Sequence, residues 1–266
     1  MIQTFSKGTY AGPSTRELSV EGILLSESVY AKNTASDWHF HEHPYFAYIL
    51  DGGSREIRKK GWLECLPGNI FFYNSQDIHR NKDYQQASRN FNVEFDNNWL
   101  SSLGIDIAKT GGTHLIHTPD ARLALTRLLR EYQIADAASR LSIHSLSLQL
   151  LTNITHPDPL AKNPKWFDQV LDILNDRWFE NISLKEISAV VNIHPVTIAR
   201  YFPKHRHCTM GEYLRKIKIE RSLSLIRSTH MSLTEIAYRC GFADQSHFIR
   251  TFRRLTGFLP NDFRRA

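Results

Sequence analysis

The spacing of hydrophobic and polar positions changes along the chain. Between residues 18 and 95, short apolar or alternating runs such as Tyr45–Leu50 and Ile70–Tyr73 are separated by turn signals at Asp51-Gly52-Gly53, Lys60-Gly61 and Pro67-Gly68-Asn69. Strands recurring at roughly ten-residue intervals predict a small barrel or sandwich. The stretch 101–117, with Gly111-Gly112, reads as loop. From Pro119 the period is helical. Leu123, Leu125, Leu128, Leu129 and Tyr132 form one stripe, and Leu141, His144, Leu148 and Leu151 form another, which predicts helices over 120–133 and 136–154.

The run 156–164, HPDPLAKNP, holds three prolines in nine residues. Proline removes a donor and disfavours helix just before it, so this run is the expected linker. It separates a domain over 1–155 from a domain over 165–266. Beyond it everything reads as helix.

The second domain contains an internal repeat. One copy runs Ser183-Leu184-Lys185-Glu186-Ile187-Ser188, then Asn192-Ile193, Ile198 and Phe202. The other runs Ser232-Leu233-Thr234-Glu235-Ile236-Ala237, then Gly241-Phe242, Phe248 and Phe252, starting 49 residues later. Ser183 and Ser232 each precede a glutamate by three residues, the capping-box spacing. Ser188 and Ala237 are small enough for two helices to cross closely. Asn192 and Gly241 suit the left-handed conformation that ends a helix. The i, i+4 pairs Ile198/Phe202 and Phe248/Phe252 predict the buried side of a following helix. Together these are the parts of a helix-turn-helix, whose second helix enters the DNA major groove.

Charge adds to this picture. The chain of 266 residues carries a net +6, but residues 157–266 hold 18 Lys+Arg against 11 Asp+Glu, or +7, while residues 1–156 hold 15 against 16, or −1. The excess confined to one half suits a polyanionic partner. Cys65, Cys208 and Cys240 are far apart and form no Cys-x-x-Cys pair, as expected of a reducing compartment. The first residues lack the apolar run of a signal peptide, and no stretch approaches 18 apolar residues. The chain reads as cytoplasmic and free of the membrane.

The series Ile236-Ala237, Gly241-Phe242, Ser246, Phe248, Arg250, Phe252-Arg253, then Gly257, Pro260, Phe263 and Arg264, resembles the signature of the AraC/XylS family of transcription regulators. The resemblance covers about 100 residues from Trp166 onward. Two positions depart from it: Leu259 stands where the family has Ser or Thr, and His207 where glycine is common. The resemblance implies seven helices, with a long linker helix over about Met210–Ser228. Tyr213, Leu214, Ile217, Leu223 and Ile226 of that helix are expected to face inward. Such a helix could set two recognition helices about 34 Å apart on one face of DNA.

Helical geometry assigns the contact residues. In a first recognition helix, Pro195–Phe202, burial of Ile198 and Phe202 leaves His194, Val196, Thr197, Ala199, Arg200 and, beyond it, Lys204 exposed. In a second, Asp244–Leu255, burial of Phe248, Phe252 and Leu255 leaves Gln245, Ser246, His247, Arg250, Arg253 and Arg254. By the resemblance, Val196, Ala199, Arg200, Gln245, His247 and Arg250 meet base edges. Arg200 and Arg250 are the candidates for bidentate guanine contacts, with a phosphate clamp or an intramolecular ion pair as the other readings of Arg250. Lys204, Arg206, Arg253 and Arg254 are expected on phosphate. Val196 and Ala199 offer only apolar contact, so the first unit is expected to read sequence weakly.

In the first domain, His39-x-His41-x-His43-Pro44-Tyr45, Pro67-Gly68-Asn69 and His79 resemble the cupin arrangement of the family's sensor domains. Metal-binding cupins follow their paired histidines with a glutamate. Here the corresponding places hold Tyr45 and Ala47, with no glutamate before Glu56, so the carboxylate ligand is missing, although Glu42 or Asp77 lies nearby in sequence. Three readings stand. His39, His41 and His79 could bind a divalent metal, although the missing carboxylate weighs against it. His39, His41, His43 and His79 could line an organic effector pocket with Tyr45, Tyr48, Trp62 and Phe72. Or the imidazoles could simply be packed and hydrogen-bonded. No cofactor is required by the sequence.

The fold expected is therefore two-domain α+β: a cupin-like β-barrel with two helices, then an all-α domain of two helix-turn-helix units joined by a long helix. The resemblance implies a regulator, commonly an activator, rather than an enzyme. Its partners would be double-stranded promoter DNA, a small effector, RNA polymerase and a second copy of the chain. Leu141, Leu148 and Leu151 are the candidate dimerisation stripe, or they pack on the barrel. A metallo-cupin enzyme with an attached nucleic-acid module, and an effector-independent DNA binder, are the alternative readings.

Overall fold

The computed structural model describes residues 2–59, 61–85, 88–107, 112–155 and 163–266. The chain folds as two compact units, residues 1–157 and 158–266. Of the expected linker 156–164, residues 156–162 lie outside the described ones.

The first unit is rich in strands: β1 (Gln3–Phe5), β2 (Ser14–Val20), β3 (Ile23–Tyr30), β4 (His39–His41), β5 (Tyr45–Asp51), β6 (Ser54–Arg58), β7 (Gly61–Cys65), β8 (Ile70–Tyr73), β9 (Arg80–Lys82), β10 (Ser88–Phe95) and β11 (His114–Leu115). Six of them form an antiparallel sheet in the order β11-β8-β5-β10-β3-β2. A second sheet has the order β7-β6-β9, and β1 pairs in parallel with β4. A single antiparallel bridge, His39↔His79, joins β4 to the residue before β9.

Strand β5 is buried from Tyr45 to Leu50. A strand covered on both faces needs no polar alternation, which is why its sequence reads as one apolar run. Its side chains nevertheless alternate in direction. Tyr45, Ala47 and Ile49 cluster with Cys65, Phe71 and Tyr73. Phe46 packs instead against Phe72 and Phe95, and Tyr48 shares its side of the strand by parity.

Two helices complete this unit, α2 (Pro119–Ile134) and α3 (Ala137–Thr155), within two residues of their expected bounds. The stretch 101–117 is not all loop: α1 (Asn97–Ser102), capped by the Asp96 side chain, enters it, and β11 lies inside it. Residues 108–111 of that stretch, with Gly111, lie outside the described ones. Helix α2 hangs on the six-stranded sheet through Tyr132, whose hydroxyl donates to the Arg16 carbonyl oxygen at 2.8 Å and whose ring meets Phe91. Helix α3 buries Ile143, Leu146, Leu150, Leu151 and Ile154. This corrects the expected stripe. Leu151 belongs to the packed side, whereas Leu141 is 78% exposed and Leu148 37%. Leucine occurs on both sides of this helix, so a 3.6-residue pattern in sequence could not choose between them.

The second unit is all helix: α4 (Lys165–Asp176), α5 (Leu184–Val191), α6 (Pro195–Arg206), α7 (Met210–Ser228), α8 (Leu233–Arg239), α9 (Gln245–Thr256) and α10 (Pro260–Arg265). Phe167, Val170, Leu174, Ile187, Ile198 and Phe202 form a core around α4–α6, closed by Tyr213 and Ile217 of α7. Farther along, α7 buries Leu223 and Ile226. A chain of ring contacts runs Phe242–Phe248–Phe252–Phe263 through the α8–α10 end. Of the residues expected to face inward on α7, Leu214 is only partly buried, and Lys218 and Ile219 are buried as well.

Candidate nucleic-acid interface and histidine cluster

Local chemistry fixes the two helix pairs α5–α6 and α8–α9. Ser183/Glu186 and Ser232/Glu235 are complete capping boxes. The backbone N–H of Glu186 donates to Ser183 Oγ at 3.2 Å, and that of Ser183 to Glu186 Oε2 at 2.7 Å. Thr209 and Glu212 make a third box at the start of α7. Asn192 closes α5 with φ 53°, and Gly241 follows α8 with φ 69°. Ser188 does more than stay small: its hydroxyl donates to the Ile193 carbonyl oxygen at 2.6 Å and ties down the turn.

The second helix of each pair presents its polar side to solvent. On α6, Ile198 and Phe202 are fully buried, while Val196, Thr197, Ala199, Arg200 and Lys204 are exposed. His194 is the N-cap of this helix, its Nδ1 accepting from the Val196 N–H at 3.3 Å. The helix continues past Pro203 to Arg206, one turn farther than expected. The Tyr201–His205 stack at 3.8 Å and the N–H of His207 donating to the Pro203 carbonyl hold that turn. His207 takes the left-handed cap with φ 51°, at the position where the family commonly has glycine.

On α9, Phe248 and Phe252 are buried, and Ser246, His247, Arg250, Arg253 and Arg254 are exposed. Leu255 is half-buried rather than buried. Gln245 is half-buried, and its Oε1 accepts from Thr234 Oγ1 at 2.6 Å. Asp244 caps the helix by accepting from the His247 N–H at 2.7 Å. Sequence reasoning missed Arg215 of α7. It lines a cleft of about 300 Å³ with His247, Arg250, Thr251 and Arg254. The cleft has three guanidiniums and no carboxylate, and Arg215 Nε is buried with no hydrogen-bond partner among the described residues. A phosphate diester fits such a lining.

In the first unit, the candidate histidines separate. His39 and His41 are two apart on β4 and share a side, as strand geometry requires. With His79 they bring one ring nitrogen each within 4.8 Å of one another, and all three residues are buried. His39 Nδ1 lies 2.8 Å from the Asp37 carbonyl oxygen and His79 Nδ1 2.9 Å from that of Asp77. A carbonyl only accepts, so each Nδ1 carries the proton and each Nε2 keeps its lone pair. His41 Nε2 lies 3.3 Å from the Tyr45 hydroxyl, and its Nδ1 is buried without a partner among the described residues. Burial pushes His39 down to about 4 and His79 and His41 below the usual imidazole range. All three are neutral at pH 7.

The other expected lining residues lie elsewhere. His43 Nδ1 accepts from the Asn97 N–H at 3.3 Å. Trp62 is 56% exposed on β7, under the Arg55 guanidinium. Tyr48 and Phe72 are buried on the opposite side of their strands from Tyr45 and Tyr73. Only one parity of a strand can reach one cavity. The cavity that His39, His41 and His79 do line, with Tyr10, Tyr45 and Tyr73, encloses about 20 Å³ of free space. That is room for a water or an ion, not for a sugar or an aromatic effector.

The carboxylate passed over in sequence is close by. Glu56 of β6 is fully buried, accepts from the Tyr73 hydroxyl, and accepts from Arg58 Nε at 2.6 Å. The Tyr73 ring is 5.0 Å from that of His79. Glu42 is exposed, and Asp77 accepts from Thr113 Oγ1 at 2.9 Å.

Residues 187–266 match the family model described as a helix-turn-helix domain. The activator RhaS of Enterobacter sp. (strain 638) is 31% identical over 119 residues, which is 45% of this chain and 43% of that protein. The regulator GbdR of Pseudomonas aeruginosa (strain UCBPP-PA14) is 30% identical over 107 residues, 40% of this chain and 29% of that protein. The chain thus spans less than half the length of these curated relatives. Among solved structures, a transcriptional regulator of Chromobacterium violaceum, described as carrying an AraC-type DNA-binding domain, is 21% identical, covering 38% of this chain and 90% of that one, with a TM-score of 0.37. No helix among the described residues is long and apolar enough to cross a membrane. Within its second unit, residues 187–266 of this chain form a helix-turn-helix domain.

Proposed function

We propose that the chain is a sequence-specific DNA-binding transcription regulator, an activator rather than an enzyme, whose first unit binds a small ligand and pairs two copies of the chain. The single observation that carries this reading is the composition of α6 and α9. Their apolar residues are buried, and eleven of the twelve expected contact residues stand exposed on the half of the chain that carries +7. Two recognition helices, one contributing Arg200 and the other His247 and Arg250, would read successive major-groove segments. The Arg215 cleft would grip the phosphate between them.

The order of strands in the first unit supports a cupin-like barrel, and the outward-facing Leu141 and Leu148 support a helix-to-helix contact between copies. The relative named as a transcriptional activator supports an activating role at a promoter. Ligand binding would regulate the promoter by favouring one arrangement over another, which requires different affinities for the two.

Selection of bound DNA from a random pool by the full chain tests the reading. The expected result is an enriched motif of two segments about one helical turn apart, protected in footprinting. Retention of the pool without enrichment would refute sequence-specific binding.

A further inference from the structure

We propose that Lys218 is a positioning residue for DNA reading: its ammonium locks the turn that leads into α9, and so fixes the single separation of DNA segments that α6 and α9 read together. This rests on the reading of those two helices as DNA readers, and on geometry within the second unit.

Helices α6, α8 and α9 all pack against α7, so α7 is the common support of the two helix pairs. Segments from both pairs meet at its middle. Lys218 Nζ donates to the Gly241 carbonyl oxygen at 2.8 Å, in the turn between α8 and α9. It makes a longer contact, 3.5 Å, with Asn181 Oδ1 in the segment before α5. In that same segment the Phe179 carbonyl oxygen closes on Gly241 so tightly that an added Cβ would stand 2.1 Å from it. The Lys218 Nζ also lies 5.9 Å from the centre of the Phe242 ring, whose face attracts a cation. Phe242 in turn meets His247 and Phe248 of α9, each at 5.3 Å. One side chain of α7 therefore reaches both the approach to the first pair and the entry to α9.

The chemistry of the group suits a joint better than a filler of space. Lys218 is 5% exposed, and its hydrogen-bond acceptors among the described residues are neutral amide oxygens. Burying an ammonium without a carboxylate is costly, and an apolar side chain would pack there without that cost. What the ammonium adds is direction, because several N–H donors on one atom hold oxygens of two remote segments at once. Two readers held rigidly gain a high effective concentration at the matching separation and little at any other. A loosened joint spreads that gain over several separations. Lys218 itself is buried, so base reading by the exposed residues of each helix stays as it was.

The test uses the full chain, selection from a random DNA pool, and the two-segment DNA so obtained. Wild type is expected to enrich two segments at one separation, and inserting one base pair between them should weaken binding at least about tenfold. Lys218→Met is expected to enrich the same two segments at a spread of separations, and to lose less than about threefold on the insertion. Should Lys218→Met fail to fold, Asn181→Ala takes its place with the same two outcomes. Val170→Ala, which opens the packing around α4, controls for stability: it lowers the melting temperature and keeps the single separation. A single separation in the joint variant, an insertion that wild type tolerates, a lone segment from wild type, or equal spreading in Val170→Ala overturns the proposal. A wild-type chain that enriches no segment at all removes DNA reading itself, so the two failures are told apart.

Discussion

Lys218 Nζ donates to the carbonyl oxygen of Gly241 at 2.8 Å. The lysine lies in the middle of α7 and is only 5% exposed; the glycine opens the turn between α8 and α9. The long helix is thereby bonded to the segment that sets the direction of α9. Gly241 has little freedom of its own. Its φ is +69°, and an added Cβ would stand 2.1 Å from the Phe179 carbonyl oxygen and 2.9 Å from Lys218 Nζ. Gly241→Ala is expected to cost about 3 kcal/mol, from left-handed strain and backbone collision together. Lys218→Met keeps most of the volume but strands the carbonyl, and should cost about 2 kcal/mol. Urea denaturation of both variants measures this, with the glycine variant the less stable.

Arg250 and Arg215 should separate base reading from phosphate grip. Arg250→Ala is expected to cost about 1–3 kcal/mol on the cognate site and to relax preference at one base pair. Arg215→Ala should weaken cognate and random DNA about equally and lower the slope of log K against log salt by about one. Titrations of both variants at several salt concentrations decide it. Equal loss on both DNAs for Arg250→Ala would make it a phosphate contact.

The two sides of α3 should respond differently to truncation. Leu151 is fully buried, and Leu151→Ala is expected to destabilise the chain by about 2–5 kcal/mol. Leu141 is 78% exposed, and Leu141→Ala should change stability by less than about 0.5 kcal/mol. Sedimentation of Leu141→Ala, alone and with Leu148→Ala, should show a shift toward monomer if this side joins two copies.

At α10 the helix starts without a side-chain cap, because Leu259 occupies the N-cap position. Leu259→Ser supplies an oxygen for the first-turn N–H groups. It is expected to raise stability by about 1 kcal/mol, read as an upward shift in melting temperature. An unchanged or lower melting temperature would mean that the half-exposed leucine packs more than it lacks.

The amino-acid sequence alone determined what depends on neighbours a few residues apart. Ser183 with Glu186 and Ser232 with Glu235 announce their helices because a capping box closes within one turn. The outward residues of α6 and α9 follow from the same short-range periodicity, whereas the extent of α7 was what the family resemblance implied. Tertiary structure decided what depends on distant partners. Strand parity sent Tyr48 and Phe72 away from Tyr45. A hairpin returning through β6 placed Glu56 behind Tyr73, 17 residues away in sequence. Helix α3 could have buried either leucine side, and packing chose the one holding Leu151. Lys218 reads as an ordinary surface residue of a basic helix until the turn at Gly241 arrives to accept its hydrogen bond. Local patterns record which element forms; which face it turns inward, and onto what, is settled only when remote segments meet.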